Sequence, residues 1–245
     1  LIRYPEAYFE WKILVGKTLD FDFCLNEGFP IVGWLEAQGL APLFRINLPY
    51  YPELMKEFYV NILSSSSVHL CTKVKYKEIK SNFTTLATIL GIPYEGARGW
   101  NQRNWIIDSA FNKEECVRLL FGEKAHAMHR MYSRNLSLHH RCSARVFHCV
   151  YYCISPIGFD EVTHMEAFTM FHIITGQRIS VPMLIINHMQ AMHCRENGLP
   201  YSNIITKILM HFGVDLSGEL HQALQSVDKL GKGTLRRMGF KKHKR

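Results

Sequence analysis

Apolar residues recur along much of this chain at the 3.6-residue period of an α-helix, and that spacing limits its fold more than any motif does. Val181, Leu184, Ile185, His188, Met189 and Met192 stand at i, i+3, i+4, i+7, i+8 and i+11. Tyr201, Ile204, Ile205, Ile208, Leu209 and Phe212 repeat the pattern, and Gly213 is placed to close that helix. Tyr51, Leu54, Met55, Phe58 and Ile62 form a third stripe. Ile79, Phe83, Leu86, Ala87 and Leu90 form a fourth, which Gly91 and Pro93 should end. Val146, Cys149, Val150, Cys153 and Ile154 form a fifth, ended by Pro156. Asn112 with Glu115 reads as a capping pair for a short helix ending before Gly122. Thr163 with Glu166 makes a capping box for a helix running to about Thr175, with Gly176 as its stop.

Seven amphipathic helices joined by short turns predict a mainly α fold. The expected organisation is a single multi-helix domain over residues 1–230 and a basic C-terminal tail over 231–245. Strand signals are sparse. Val68, Leu70, Val74 and Tyr76 share one parity, which allows at most a small β-hairpin near residues 68–76. Hydrophobic residues make up 47% of the chain and charged residues 20%, enough to build a sizeable core. The longest purely apolar run, Val181 to Ile186, is far short of the roughly 20 residues that span a bilayer. No apolar segment follows a charged N-terminal region, so neither a signal peptide nor a membrane partner is expected. The first residue is Leu rather than Met, which reads as a fragment of a longer frame. Seven scattered cysteines, an odd number, suit free thiols in a reducing, intracellular compartment.

The formal net charge of +8 is concentrated at one end. Lys232, Arg236, Arg237, Lys241, Lys242, Lys244 and Arg245 fall in the last 14 residues with no acid among them, which leaves the body at about +1. Such a tail attracts phosphate, serves as a nuclear-import signal, or is a solvated segment. These seven residues are the candidate nucleic-acid contacts. A second basic stretch, Lys124 to Phe159, contains no Asp or Glu but holds Lys124, Arg130, Arg134, Arg141 and Arg145 with His126, His129, His139, His140 and His148. Trp11, Trp34, Trp100 and Trp105 lack regularly interleaved basic residues and read as core or rim aromatics.

Catalytic and metal-binding patterns are missing from the sequence. No two cysteines are separated by two residues, and no P-loop, nucleophile elbow, dinucleotide-binding glycine pattern or H-E-x-x-H occurs. Asp108-Ser109-Ala110 lacks the glycine of an aspartic-protease triplet. Cys149 and Cys153 beside His148 sit at the spacing of a buried helical face, and His188 falls on an apolar stripe, where a hydrogen-bonded core histidine fits better than a ligand. His126 and His129 share a helical face without a third ligand, and His193 and Cys194 raise the same question as His188. No catalytic, metal or cofactor-binding residue is assigned.

Five segments taken in order resemble one known family. They are LPYYPELMKEFYVNIL (48–63), VKYKEIKSNFTTLATILGIP (74–93), GQRISVPMLIINHM (176–189), GLPYSNIITKILMHFGVDLSGE (198–219) and TLRRMGF (234–240). The set is similar to the plant transposon protein domain found in reading frames associated with Ty3/gypsy-type retrotransposons, and it spans about Gly33 to Phe240. The chain departs from that family at Ser155-Pro156-Ile157, where a proline-arginine pair is common. The resemblance implies plant origin and a mobile-element history, and it carries over no functional residues. The function expected from all this is a non-enzymatic, element-encoded helical domain that binds nucleic acid through its tail. The alternatives are a protein-interaction or self-assembly module without nucleic-acid binding, and a divergent nuclease. The expected location is intracellular, with the nucleus open through the tail.

Overall fold

The apolar stripes become helices in the computed structural model, which describes residues 11–63, 69–101, 104–108, 110–123, 131–137, 140, 141, 144, 161–192 and 198–233. In chain order the elements are β1 (Thr18–Leu19), α1 (Phe21–Asn26), α2 (Ile31–Ala37), α3 (Ala41–Phe44), α4 (Pro52–Val60), β2 (His69–Val74), β3 (Lys77–Asn82), α5 (Phe83–Leu90), α6 (Lys113–Phe121), β4 (Met131–Tyr132), β5 (Glu161–Val162), α7 (His164–Thr175), α8 (Val181–Met192), α9 (Ser202–His211) and β6 (Lys229–Leu230). Among the described residues the fold is mainly helical. The stripe at Val146 to Ile154, with His148, Cys149 and Cys153, lies outside the described residues, as do His126, His129, His193 and Cys194.

Helix ends follow the local chemistry of the sequence. The Thr163 hydroxyl accepts the Glu166 N–H at 3.1 Å, and the Glu166 carboxylate accepts the Thr163 N–H at 2.7 Å. This capping box satisfies two amides that the first turn of α7 would leave unpaired. Asn112 caps α6 through the Glu115 N–H at 2.9 Å, and Asn82 caps α5 through the Thr85 N–H at 2.8 Å. Gly91 and Gly176 end α5 and α7 in the left-handed region, at φ 70° and 73°. Tyr201 departs from its expected place on the α9 stripe. It precedes the helix as the cap residue, at φ 63°, and its ring is fully buried.

The fourth stripe divides between two kinds of structure. Ile79 lies on β3, and α5 begins only at Phe83. Ile79 is buried because it alternates with exposed Glu78 and Lys80, although its i, i+4 spacing to Phe83 mimics a helical face. The antiparallel hairpin therefore runs from His69 to Asn82, longer than expected at 68–76, and turns at Lys75–Tyr76. Two further ladders of two residues each were not expected: β1 pairs in parallel with β6, and β4 pairs antiparallel with β5.

The core is centred on α7 and α8. Met165 to Ile173 of α7 are all buried, and α8 is buried on nearly every side, so both are interior helices. α6 and α2 pack on α7, while α5 packs on α8 and α9, and β2 packs on α4 and α8. One cluster of buried apolar side chains runs from Leu14 through these helices to Leu230. Several polar groups inside it are paired, though the buried Ser180 hydroxyl has no partner. His188 Nδ1 shares a hydrogen bond with the Tyr201 hydroxyl at 2.8 Å, as the core-histidine reading of His188 expects. The Gln38 amide donates to the carbonyls of His172 and Gln177, at 3.3 and 2.9 Å. Trp11, Trp34, Trp100 and Trp105 pack partly buried against the core. Cys24, Cys71 and Cys116 are free thiols.

Candidate nucleic-acid interface

Of the seven basic tail residues, Lys232 is described and exposed, while Arg236, Arg237, Lys241, Lys242, Lys244 and Arg245 lie outside the described residues. The root of the tail is held firmly. β6 lies beside β1 with Thr18 opposite Lys229 and Leu19 opposite Leu230, and the Asp20 N–H donates to the Leu230 carbonyl at 2.9 Å. Two ion pairs bracket this ladder, Lys17 with Asp228 and Lys229 with Asp20, the latter at 3.2 Å. Gly231 follows so closely that a Cβ there would meet the Asp20 side chain at 3.0 Å. Lys232 thus leaves the body one residue beyond a fixed point.

The second basic stretch does not come together as a charged face among its described residues. Arg134 stacks over the Tyr132 ring at 4.6 Å, and the Arg141 guanidinium donates to the carbonyls of Arg134 and Leu136. His140 lies 6.3 Å from the Trp34 ring, with Nδ1 at 3.4 Å from the Leu120 carbonyl. These side chains hold local structure. Lys124, Arg130 and Arg145, with His126, His129, His139 and His148, lie outside the described residues.

His172, Cys24 and Cys116 are titratable groups enclosed by the core. His172 is 4% exposed, its Nδ1–H donates to the Phe168 carbonyl at 2.8 Å, and Phe111 stacks on its ring at 5.9 Å. Burial lowers its pKa below the usual imidazole value, against smaller upward pulls from the Phe168 carbonyl and Asp108. Burial, with Asp20 nearby, pushes the Cys24 thiol up to about 11, and burial raises Cys116 as well. Both stay protonated at neutral pH and are poor nucleophiles. Among the described residues no three His, Cys, Asp or Glu side chains are grouped as metal ligands would be. An open groove of about 670 Å³ runs between the α2–α3 region and the end of α5, lined by small and apolar residues including Ala41, Pro42, Ala87 and Pro93. Its one guanidinium, Arg45, is stacked over Phe21 at 4.3 Å.

A family model described as "Putative plant retrotransposon-related domain" matches residues 36–215. The chain belongs to this family. No curated protein and no solved structure matches it. The family's span opens inside α2 and closes just after α9, so it takes in the hairpin, the groove and the central helices. It leaves out β1, α1, β6 and all seven basic tail residues, so the tail is a feature of this chain beyond the shared family segment. No helix among the described residues is long and apolar enough to cross a membrane.

Proposed function

We propose that this chain is a non-enzymatic domain of a plant retrotransposon-derived protein of the Ty3/gypsy type, and that it binds nucleic acid through its basic tail. On this reading residues 1–230 form one domain, and the protein works inside the cell, with nuclear import as a second use of the tail. The observation that carries the reading is the run of seven basic residues over Lys232 to Arg245 without an acid, on a body of about +1. Dense positive charge on a short segment displaces counterions from a phosphate backbone and so binds in a salt-dependent way. The non-enzymatic part is supported by how the acids are used. Asp20 and Asp228 pair with lysines at the β1–β6 ladder, Glu53 pairs with Lys56 of α4, and Glu78 and Glu219 pair with Lys80 and Lys75 of the hairpin, so these five acids are held in ion pairs at three different places.

The test is binding of the purified chain to mixed DNA and RNA fragments across a salt series, beside a chain ending at Gly231. Removing the tail should weaken binding and flatten the slope of log K against log salt, by up to about 0.9 for each duplex-DNA phosphate that the tail had neutralised. Equal affinity and equal slope in the two chains would refute the tail assignment. A second reading, protein interaction or self-assembly, calls for a contiguous exposed apolar patch, and among the described residues Ile107 and Leu220 are the most exposed large aliphatic side chains. It requires oligomers that grow with concentration, and a monomer at every concentration would count against it.

A further inference from the structure

The hairpin of β2 and β3 has a tip built in an unusual way. Lys75 and Tyr76 both adopt positive φ, 46° and 66°, a conformation that glycine and asparagine favour in tight hairpin turns. The strained turn is clamped from below. The Glu57 carboxylate accepts the Lys75 N–H at 2.9 Å, and the Lys75 ammonium donates to the Asp215 carbonyl at 2.8 Å and pairs with Glu219 at 2.6 Å. These contacts fix the turn against the α4 helix and the segment after α9. What they leave outward is Tyr76, 92% exposed, the most exposed aromatic ring among the described residues.

Lysines flank that ring on its outward side. Pairing sets Leu70, Thr72, Val74, Ile79 and Ser81 on the inner face of the hairpin, and all five are buried. The opposite face carries Lys73, Glu78 and Lys80, and the Lys73 ammonium lies 5.7 Å from the Tyr76 ring centroid. Lys77 is exposed at the end of the ladder, directly after the turn. Glu78 faces Lys73 across the ladder and pairs with Lys80 at 2.9 Å, so the outer face sets two lysines against one carboxylate, while Lys77, opposite Val74, adds a third ammonium at the open end of the other face. Three acids lie beneath the tip around Lys75: Glu219 pairs with its ammonium, Glu57 accepts its backbone N–H, and the Asp215 carboxylate accepts from Ser217.

We infer that this hairpin tip contacts single-stranded nucleic acid, with Tyr76 stacking on an unpaired base and Lys73, Lys77 and Lys80 meeting the adjoining phosphates. A rigid ring at the end of a narrow two-stranded ribbon offers its face to a base that is already unstacked, which a duplex does not provide. Positive φ at a non-glycine residue is costly and is retained where surrounding contacts hold it, a pattern that clusters at binding sites. An acidic protein would be met by the lysines alone and has no need of the ring. The site lies inside the shared family segment, which does not include the tail residues, and its test reads the two apart.

The test uses the full chain and fluorescent oligouridine and oligothymidine of about 12 nucleotides, a length within the reach of small single-strand sites. Tyr76→Gly removes the ring and places at this turn the residue its backbone favours, and thermal melting confirms that the variant folds. Tyr76→Trp keeps a stacking face. The expected result is an affinity loss of about 5-fold or more in Tyr76→Gly, near-parent affinity in Tyr76→Trp, and a lower salt slope when Lys73 and Lys77 are both changed to Gln. A 5-iodouridine strand irradiated on the parent chain should cross-link at Tyr76, read by peptide mass spectrometry. Equal binding by Tyr76→Gly and the parent overturns the inference, and so does cross-linking confined to residues 232–245, which leaves the tail reading intact. Displacement by polyglutamate as effective as by oligouridine also overturns it and points to an acidic protein.

Discussion

Gly16 and Gly33 show how differently one residue type is constrained in this protein. The Gly16 N–H donates to the Ser202 hydroxyl at 2.8 Å, and a Cβ at Gly16 would lie 2.3 Å from Asn203 Oδ1. Asn203 has little freedom to yield. Its Nδ2 donates to the Ile46 carbonyl at 2.9 Å, its Oδ1 accepts the Ile204 N–H at 3.1 Å, and its side chain is buried. Gly33, by contrast, sits exposed within α2 with nothing within 4 Å of the added atom. Gly16→Ala should therefore lower stability by about 1–3 kcal/mol, the usual penalty for overpacking. Gly33→Ala should raise it by roughly 0.5–1 kcal/mol, since alanine gives up less backbone entropy in a helix. Paired urea melts read both signs directly, and a Gly16→Ala variant as stable as the parent would show that the first loop does not rest on the start of α9 as described.

At the scale of elements, the interior helices are where packing should matter most. Leu184 on α8 is fully buried, with Ile185, Ile186 and Met189 buried around it, so few neighbours can move to fill a void. Leu184→Ala should cost about 2–5 kcal/mol, whereas Leu119→Ala, at a residue of α6 that is 37% exposed, should cost far less. Equal denaturation midpoints for the two variants would mean that α8 is not interior. The same elements show what could be read from sequence. Periodicity located α4, α8 and α9, and cap chemistry located the ends of α6 and α7, because both signals are local. α1, α2 and α3 went unread because six, seven and four residues are too few to establish a 3.6-residue period. β3 was hidden by Ile79, whose distance to Phe83 suits a helix while its neighbours alternate as a strand. The β1–β6 pair joins residues more than two hundred positions apart, and no local pattern announces such a contact. The hairpin tip did leave a trace in the alternating lysines of Lys73, Lys75 and Lys77 around Tyr76, but its left-handed turn and its clamp from Glu57 and Glu219 exist only in three dimensions.

On the scale of the whole molecule, buried contacts reach beyond the family segment on both sides. Residues 36–215 hold the central helices, yet much of their covering comes from either side. Leu14, Leu19, Ile31, Val32, Leu35 and Leu230 are all buried in the common core. The Leu14 N–H donates to the Leu199 carbonyl, and the Leu199 N–H to the Lys12 carbonyl, both at 2.8 Å. Tyr50 and Gln222 exchange both backbone hydrogen bonds at 2.9 Å, and the Tyr50 hydroxyl donates to the Gln222 side chain. β6 then closes on β1 through the Lys17–Asp228 and Lys229–Asp20 pairs. Cutting the chain to 36–215 would expose that apolar surface to water at about 25 cal/mol per Å² and leave several backbone groups without partners, a loss comparable to the whole stability of an ordinary domain. A chain ending at Gly231 loses only residues beyond the ladder. The 36–215 fragment should therefore show no cooperative thermal transition and should bind hydrophobic dye, while the chain ending at Gly231, which keeps the whole β1–β6 ladder, should still melt cooperatively. A cooperative melt of the fragment at the parent's temperature would mean that the flanking strands only decorate a self-sufficient core. The opposite outcome makes the two ends of the chain one structural unit, with the basic tail rooted in the strand that completes it.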